Sequence, residues 1–265
     1  MEPSILRFID LPKSLAEYGS DSSFEILCHA LIEDVELAET VFRVLSTLSI
    51  STFETVYMVV FSSFFAVLFG LPLGILLSTT KEGGLLSSPR FNRALGTIVN
   101  TVRSFPFIIL IILLFPLSRL LIGTSIGSSA ALVPLSIAAI PFVARLFESA
   151  LEEVDKGLIE ATLSMGANRF QVIKMMVIES MPALVNAATT TVVSLIGYSA
   201  MAGAVGAPGL GDLAIRIGYQ SSDTVILTST CFLLVVLVQA VQSLGDWLSG
   251  ALRRHDFGIF QRFLG

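Results

Sequence analysis

Long uncharged apolar runs separated by short charged segments are the dominant pattern in this 265-residue chain. Between Glu54 and Lys81 all 26 residues are uncharged. Within them "TVYMVVFSSFFAVLFGLPLGILLS" is long enough to cross a hydrocarbon core, which takes about 20 apolar residues in helical form. A second span is predicted around "VRSFPFIILIILLFPLSRLLI", with Arg103 and Arg119 near its ends, where long side chains reach the headgroups. Arg119 and Arg145 bracket 25 more uncharged residues: a turn, "GTSIGSS", and a third span, "AALVPLSIAAIPFVA". Residues 180–211 form a fourth uncharged run, longer than one span needs, and Asp223 and Asp246 bracket the fifth, "TVILTSTCFLLVVLVQAVQSLG". The pattern predicts an all-α integral membrane protein with five transmembrane helices.

Ahead of the first span, Phe24, Leu27, Leu31, Val35, Ala38, Phe42 and Leu45 fall on one helical stripe with acids opposite, and Ser22 with Glu25 has capping-box spacing. With its ionisable groups this segment is not a span. It is expected to be an amphipathic helix on the outer surface or against the other helices, with His29 a solvated side chain in it. Three segments follow: an acidic N-terminal extension (1–50), a transmembrane domain (51–250) and a tail (251–265).

Basic residues set the orientation. Lys81, Arg90, Arg93, Arg103, Arg145, Lys156, Arg169, Lys174, Arg253, Arg254 and Arg262 gather on one side, against Arg7, Lys13, Arg43, Arg119 and Arg216 on the other. The side rich in Lys and Arg is cytoplasmic, which puts the N-terminus outside and the C-terminus and the 145–174 loop inside.

Composition agrees with the membrane class: 54% of residues are hydrophobic, 14% charged, and the mean hydropathy is +0.83. The net charge of −5 comes from residues 1–50, which hold nine acids and three bases, and it speaks against a nucleic-acid partner. The first residues are acidic and mixed, unlike a cleaved signal peptide, so the first span is expected to act as its own insertion signal. Cys28 and Cys231 have no metal or redox spacing, and no cluster of His, Cys and carboxylates predicts a metal site. The phosphate-binding GxxxxGK[ST] loop is absent. No Asp or Glu falls in the middle of an expected span, where ion- and proton-coupled carriers place such groups. No nucleophile–base pair predicts an enzyme. If the chain transports, its energy comes from elsewhere.

"GLIEATLSMGANRFQVIKMM" lies between the third and fourth spans on the cytoplasmic side. Asp155 caps a short helix, Gly166 suits a left-handed stop, and Asn168 with Gln171 has capping-box spacing for the next helix. Ala161, Ser164, Gly166 and Ala167 keep one surface slim. Such a hairpin either inserts into a groove of another protein or simply connects two spans.

Here the residues carry a resemblance. "EATLSMG" resembles the E-A-A-x3-G signature of the membrane subunits of ATP-binding-cassette importers, through Glu160, Ala161, Thr162 and Gly166, with Thr162 in place of the second alanine and Glu179 where the family has a proline. "RSFPFIIL", "VPLSIAAIPFVARLFESALEEVDKGLIEA" and "SLIGYSAMAGAVGAPGLGDLAIRIGYQ" narrow the likeness to methionine-importer permeases, from about Phe53 through the fifth span, with Ala207-Pro208 in place of the usual glycine pair.

The resemblance implies the type I importer permease fold and a coupling helix at about 152–170, with Glu160, Ala161, Thr162, Gly166, Ala167 and Arg169 at the docking surface. It also implies a homodimer in the inner membrane, two copies of a separate ATPase that bind ATP and Mg, and an outside methionine-binding lipoprotein. The chain itself would hold no cofactor and no catalytic residue. Another small cargo, or a scaffold whose hairpin binds a non-ATPase partner, remains open on the sequence.

In the fourth span, Ser199 and Gly203, and Ala202 and Gly206, are small residues four apart. They serve close helix packing, or a translocation path for which Tyr198, Ser199, Met201 and Gly203 are the candidates.

Overall fold

The structure, a computed structural model, describes the backbone of residues 22–263 and the side chains of residues 44–253. Its regular elements there are helices: α1 (Ser22–Thr79), α2 (Pro89–Ser104), α3 (Phe107–Ile122), α4 (Ser128–Glu152), α5 (Lys156–Ser164), α6 (Arg169–Glu179), α7 (Met181–Gly203), α8 (Leu210–Asp212), a π-helical segment (Leu213–Gln220) and α9 (Thr224–Phe263). The chain divides into two compact units, Met1–Thr47 and Leu48–Gly265, and everything below concerns the second. The expected stripe from Phe24 to Phe42, the Ser22–Glu25 capping box, His29, Arg254 and Arg262 fall on side chains outside the described residues.

Among the described residues, four helices are long and apolar enough to cross a membrane: Val44–Thr79, Ser128–Glu152, Met181–Gly203 and Thr224–Arg253. The second expected span is differently built. Instead of one helix through "VRSFPFIIL", α2 and α3 meet at a 104° bend. Pro106 has no N–H to continue the ladder, and its ring pushes Phe105 into an extended conformation (φ −71°, ψ 130°). Helix α2 therefore ends at Ser104, with Arg103 in its last turn about 5.8 Å from the Phe142 ring. The described residues reach the expected five spans only if the bent α2–α3 pair counts as one; α3 itself has 16 residues, which reach about 24 Å at roughly 1.5 Å per residue.

Helix α4 supplies much of the core through Leu135, Ala139, Val143, Phe147 and Ala150. Helix α1 crosses it at two glycines four residues apart. A Cβ on Gly70 would lie 2.0 Å from Val143 Cγ1, and one on Gly74 would lie 2.8 Å from Phe147 Cβ. Only bare backbone lets two membrane helices approach this closely. On the outward faces, Phe53, Val60, Phe61, Phe64, Leu68 and Phe69 of α1 and Val225, Phe232, Val235 and Val236 of α9 are exposed. A surface this apolar is suited to lipid chains.

Candidate functional site

The hairpin between α4 and α6 is locally encoded as its sequence predicts. Asp155 Oδ1 accepts the Gly157 N–H (2.6 Å), Gly166 has φ +85°, and Asn168 and Gln171 exchange the two bonds of a capping box (2.7 and 2.9 Å). Its inner face is anchored. Leu158, Ile159 and Ala167 pack on a buried cluster of Leu151, Val154, Val172 and Met176, together with Ile75 and Leu85.

Its outer face is open. Glu160, Ala161, Ser164, Gly166 and Arg169 are exposed, and so are Leu163, Met165 and Phe170, the last two by 78% and 76%. Thr162 is half-buried, and its hydroxyl donates to Leu158 O (2.7 Å), so the residue presents little more than a methyl group. Met165 and Phe170 escaped the sequence reading, although two large apolar residues flanking an exposed glycine turn are a legible sign. With Glu179 in the family's proline position, the chain runs helical to Glu179, breaks at Ser180 and restarts with Pro182 in the first turn of α7.

Behind the hairpin lies a charged root. Glu148 of α4 is buried (3% exposed) and accepts from Arg145 Nη1 at 2.6 Å, while Lys81 Nζ stands 3.0 Å from Glu148 Oε1 and also pairs with Glu152. Arg145 Nη2 donates to Gly96 O of α2 (3.1 Å). Burial alone would pull the Lys81 ammonium down, but its hydrogen bond to Glu152 and the carboxylate charges of Glu148 and Glu152 outweigh it and raise its pKa.

At the other end of α7 the chain doubles back. A Cβ on Gly203 would meet Asp212 N at 2.2 Å, and one on Gly211 would meet Ala200 O at 2.3 Å, so "GLGD" lies directly on α7. Gly203 and Ser199 are buried within the chain, and the Ser199 hydroxyl donates to Ile196 O. Tyr198 is half-buried and stacks on Phe107 (4.6 Å between centroids, 12° between planes), whereas Met201 is 50% exposed. Of the four path candidates, two therefore reach an open surface and two pack inside.

Met201 caps a stripe not foreseen from the sequence. Asn186, Thr190, Ser194, Gly197 and Met201 recur at helical spacing along one face of α7, all half-buried or exposed. Thr190 and Ser194 donate back to Asn186 O and Thr190 O (2.9 and 2.8 Å), and the Asn186 amide meets no hydrogen-bonding partner among the described residues. The exposed faces of α1 and α9 are crowded with Phe, Leu and Val, but the large apolar residues α7 exposes are Met181 and Met201. An amide facing hydrocarbon loses its hydrogen bonds at a cost of kilocalories. This face of α7 is more polar than the outward faces of α1 and α9.

Among known proteins, the family described as "Binding-protein-dependent transport system inner membrane component" matches residues 70–255. The probable D-methionine transport system permease protein MetI of Vibrio cholerae is 50% identical over 207 residues, covering 78% of this chain and 91% of that protein. The D-methionine transport system permease protein MetI of Escherichia coli K12 is 48% identical over 151 residues, 57% of this chain and 70% of its own. A chain of the MetNI methionine ABC transporter, solved in an inward facing conformation, superposes with a TM-score of 0.77 at 43% identity, covering 78% of this chain and 96% of that one. An amino acid ABC transporter crystallised with histidines shares the fold at 17% identity and a TM-score of 0.60.

Proposed function

The chain belongs to the family of inner-membrane components of binding-protein-dependent transport systems, and from that premise we propose that it is the permease subunit of an ATP-driven methionine importer. It is a multi-pass protein of the inner membrane and a transport subunit rather than an enzyme. ATP and Mg would be bound by two copies of a separate ATPase, and an outside lipoprotein would deliver the amino acid.

The observation that carries the mechanism is the asymmetry of the hairpin, anchored on its inner face and open on its outer one. Glu160, Ala161, Thr162, Gly166 and Arg169, with Met165 and Phe170 beside them, form a slim surface that fits a groove on the ATPase, while Ala167 ties the turn to the inner cluster. Exposed aromatic and Met side chains next to Arg have the composition of an interface centre. When ATP draws the two ATPases together, the hairpins move with them and swing the spans between inward- and outward-open states.

Five spans from one chain are too few to enclose a gated path, so two copies would face each other across a two-fold axis. The α7 stripe supports that arrangement. Asn186, Thr190 and Ser194 would line the path, Tyr198 and Met201 would stand at its narrow end, and the buried Ser199 and Gly203 would hold the α7 terminus in shape. The test is uptake of labelled methionine into vesicles bearing the chain with its ATPase and binding protein. Binding-protein-stimulated ATP hydrolysis without uptake would overturn the cargo assignment.

A further inference from the structure

We infer that Glu148 is a positioning residue for transport, the centre of a charged knot that makes the α1 end, α2 and the α4 end move as one body with the hairpin. The inference rests on the hairpin being the point where ATP-driven motion enters.

Three elements meet at the root. Beneath it, Leu77 of α1, Val99 of α2 and Ala144 of α4 form a small buried cluster with Leu73 and Leu95 around it. Contacts of this kind exclude water but have no direction, and packed helices can slide over them by small steps. The polar bonds above the cluster do have direction. Asn92 Nδ2 of α2 donates to Leu77 O (2.7 Å) and to Thr80 Oγ1 (3.0 Å), fixing α2 to the end of α1. Arg145 of α4 reaches across to Gly96 O of α2, and a Cβ at position 96 would stand 3.0 Å from Arg145 Nη2, so a glycine keeps the approach open. Lys81, just past α1, closes the triangle onto Glu148 and Glu152 of α4.

Glu148 is the group all of this converges on. It is buried, it receives both cations, and it sits four residues before α4 ends at Glu152, where the chain enters the hairpin. Two acids and two bases leave the knot neutral. Burying ion pairs adds little net stability compared with well-packed apolar side chains. What such a pair supplies is register: the charges meet in one arrangement, and slippage by a turn would leave a buried carboxylate unpaired. A push on α5 travels through Leu158 and Ile159 to Leu151 at the α4 end and Val154 just past it, and the knot carries it across to α1 and α2.

The experiment uses the assembled complex of this chain with its ATPase and binding protein in liposomes, comparing wild type with Glu148→Gln, Lys81→Met and Lys81→Arg. Lys81 is partly exposed (41%), so its variants are expected to fold even where Glu148→Gln does not. In a background without Cys28 and Cys231, spin labels at Thr97→Cys on α2 and Ser149→Cys on α4 report the separation of the two helices with and without ATP. For the wild type the expected distance is the same in both nucleotide states, and in Lys81→Met or Glu148→Gln it broadens or shifts. Uptake per ATP hydrolysed is expected to fall about tenfold in those variants and to recover in Lys81→Arg. An α2–α4 distance that changes with nucleotide in the wild type would overturn the inference, as would Lys81→Met and Glu148→Gln complexes that keep both the distance and the uptake ratio. The distance does not depend on cargo, so failure of the methionine assignment would leave it readable.

Discussion

Thr55 of α1 holds the backbone of Leu210 across 155 positions of sequence: its hydroxyl oxygen accepts the Leu210 N–H at 2.9 Å and its proton goes to Ser51 O at the same distance. The threonine is 1% exposed, and Gly209 packs so tightly beside it that a Cβ there would stand 2.7 Å from the same oxygen. This contact pins the returning "GLGD" segment to α1.

Thr55→Val keeps the shape and removes the acceptor, leaving a buried N–H unpaired. The expected loss is about 1–3 kcal/mol, read as a lower melting temperature of the purified protein in detergent, with Thr55→Ser close to wild type. A Thr55→Val protein as stable as wild type would show that the turn is held by packing alone.

Phe170→Asp places a charge on the exposed apolar tip of the hairpin, away from the cluster that anchors its inner face. Retention of the ATPase on the purified permease is expected to fall at least tenfold, as for removal of an interface anchor, while the permease alone melts as before. Unchanged retention would remove the tip from the docking surface.

Single cysteines test the α7 stripe. In a background lacking Cys28 and Cys231, Thr190→Cys and Ser194→Cys are expected to react with a charged, water-soluble thiol reagent in the assembled importer. In a chain that keeps it as the single cysteine, Cys231, exposed on the apolar face of α9, is expected to stay unreactive in lipid, because a charged reagent does not enter hydrocarbon. Protection at positions 190 and 194 to the level of Cys231 would count against a wet path.

Lys81 gives a pH dependence with a defined sign. Its pKa in the folded chain is raised above the ordinary 10.5, so its pairing stabilises fully below that value and is lost as pH climbs through the raised one. The melting-temperature difference between wild type and Lys81→Met is therefore expected to stay constant from about pH 6 to 9 and to shrink only on the alkaline side. A difference that vanished near neutrality would mean that the pair is broken in solution.

Local chemistry was legible in the sequence and distant chemistry was not. Asp155, Gly166, Asn168 and Gln171 act within three residues of themselves, so spacing alone predicts their caps and turn. The bend at Pro106 was missed because counting apolar residues reads through a proline that the backbone cannot pass unbent. The spacing of Asn186, Thr190 and Ser194 was visible, but which face of α7 stays open depends on how α4 and α9 pack against it. Lys81 and Glu148 lie 67 positions apart, and nothing near either one names the other. Ser199 and Gly203 were equally ambiguous until the return of Asp212 filled the space beside Gly203.

The open face of α7 has a consequence for the life of the chain before assembly. A newly inserted copy on its own turns an amide and two hydroxyls toward hydrocarbon, and lipid tails cannot satisfy the amide. In the proposed pair of chains the second copy would cover these groups, so assembly itself would complete a face that a single copy leaves bare.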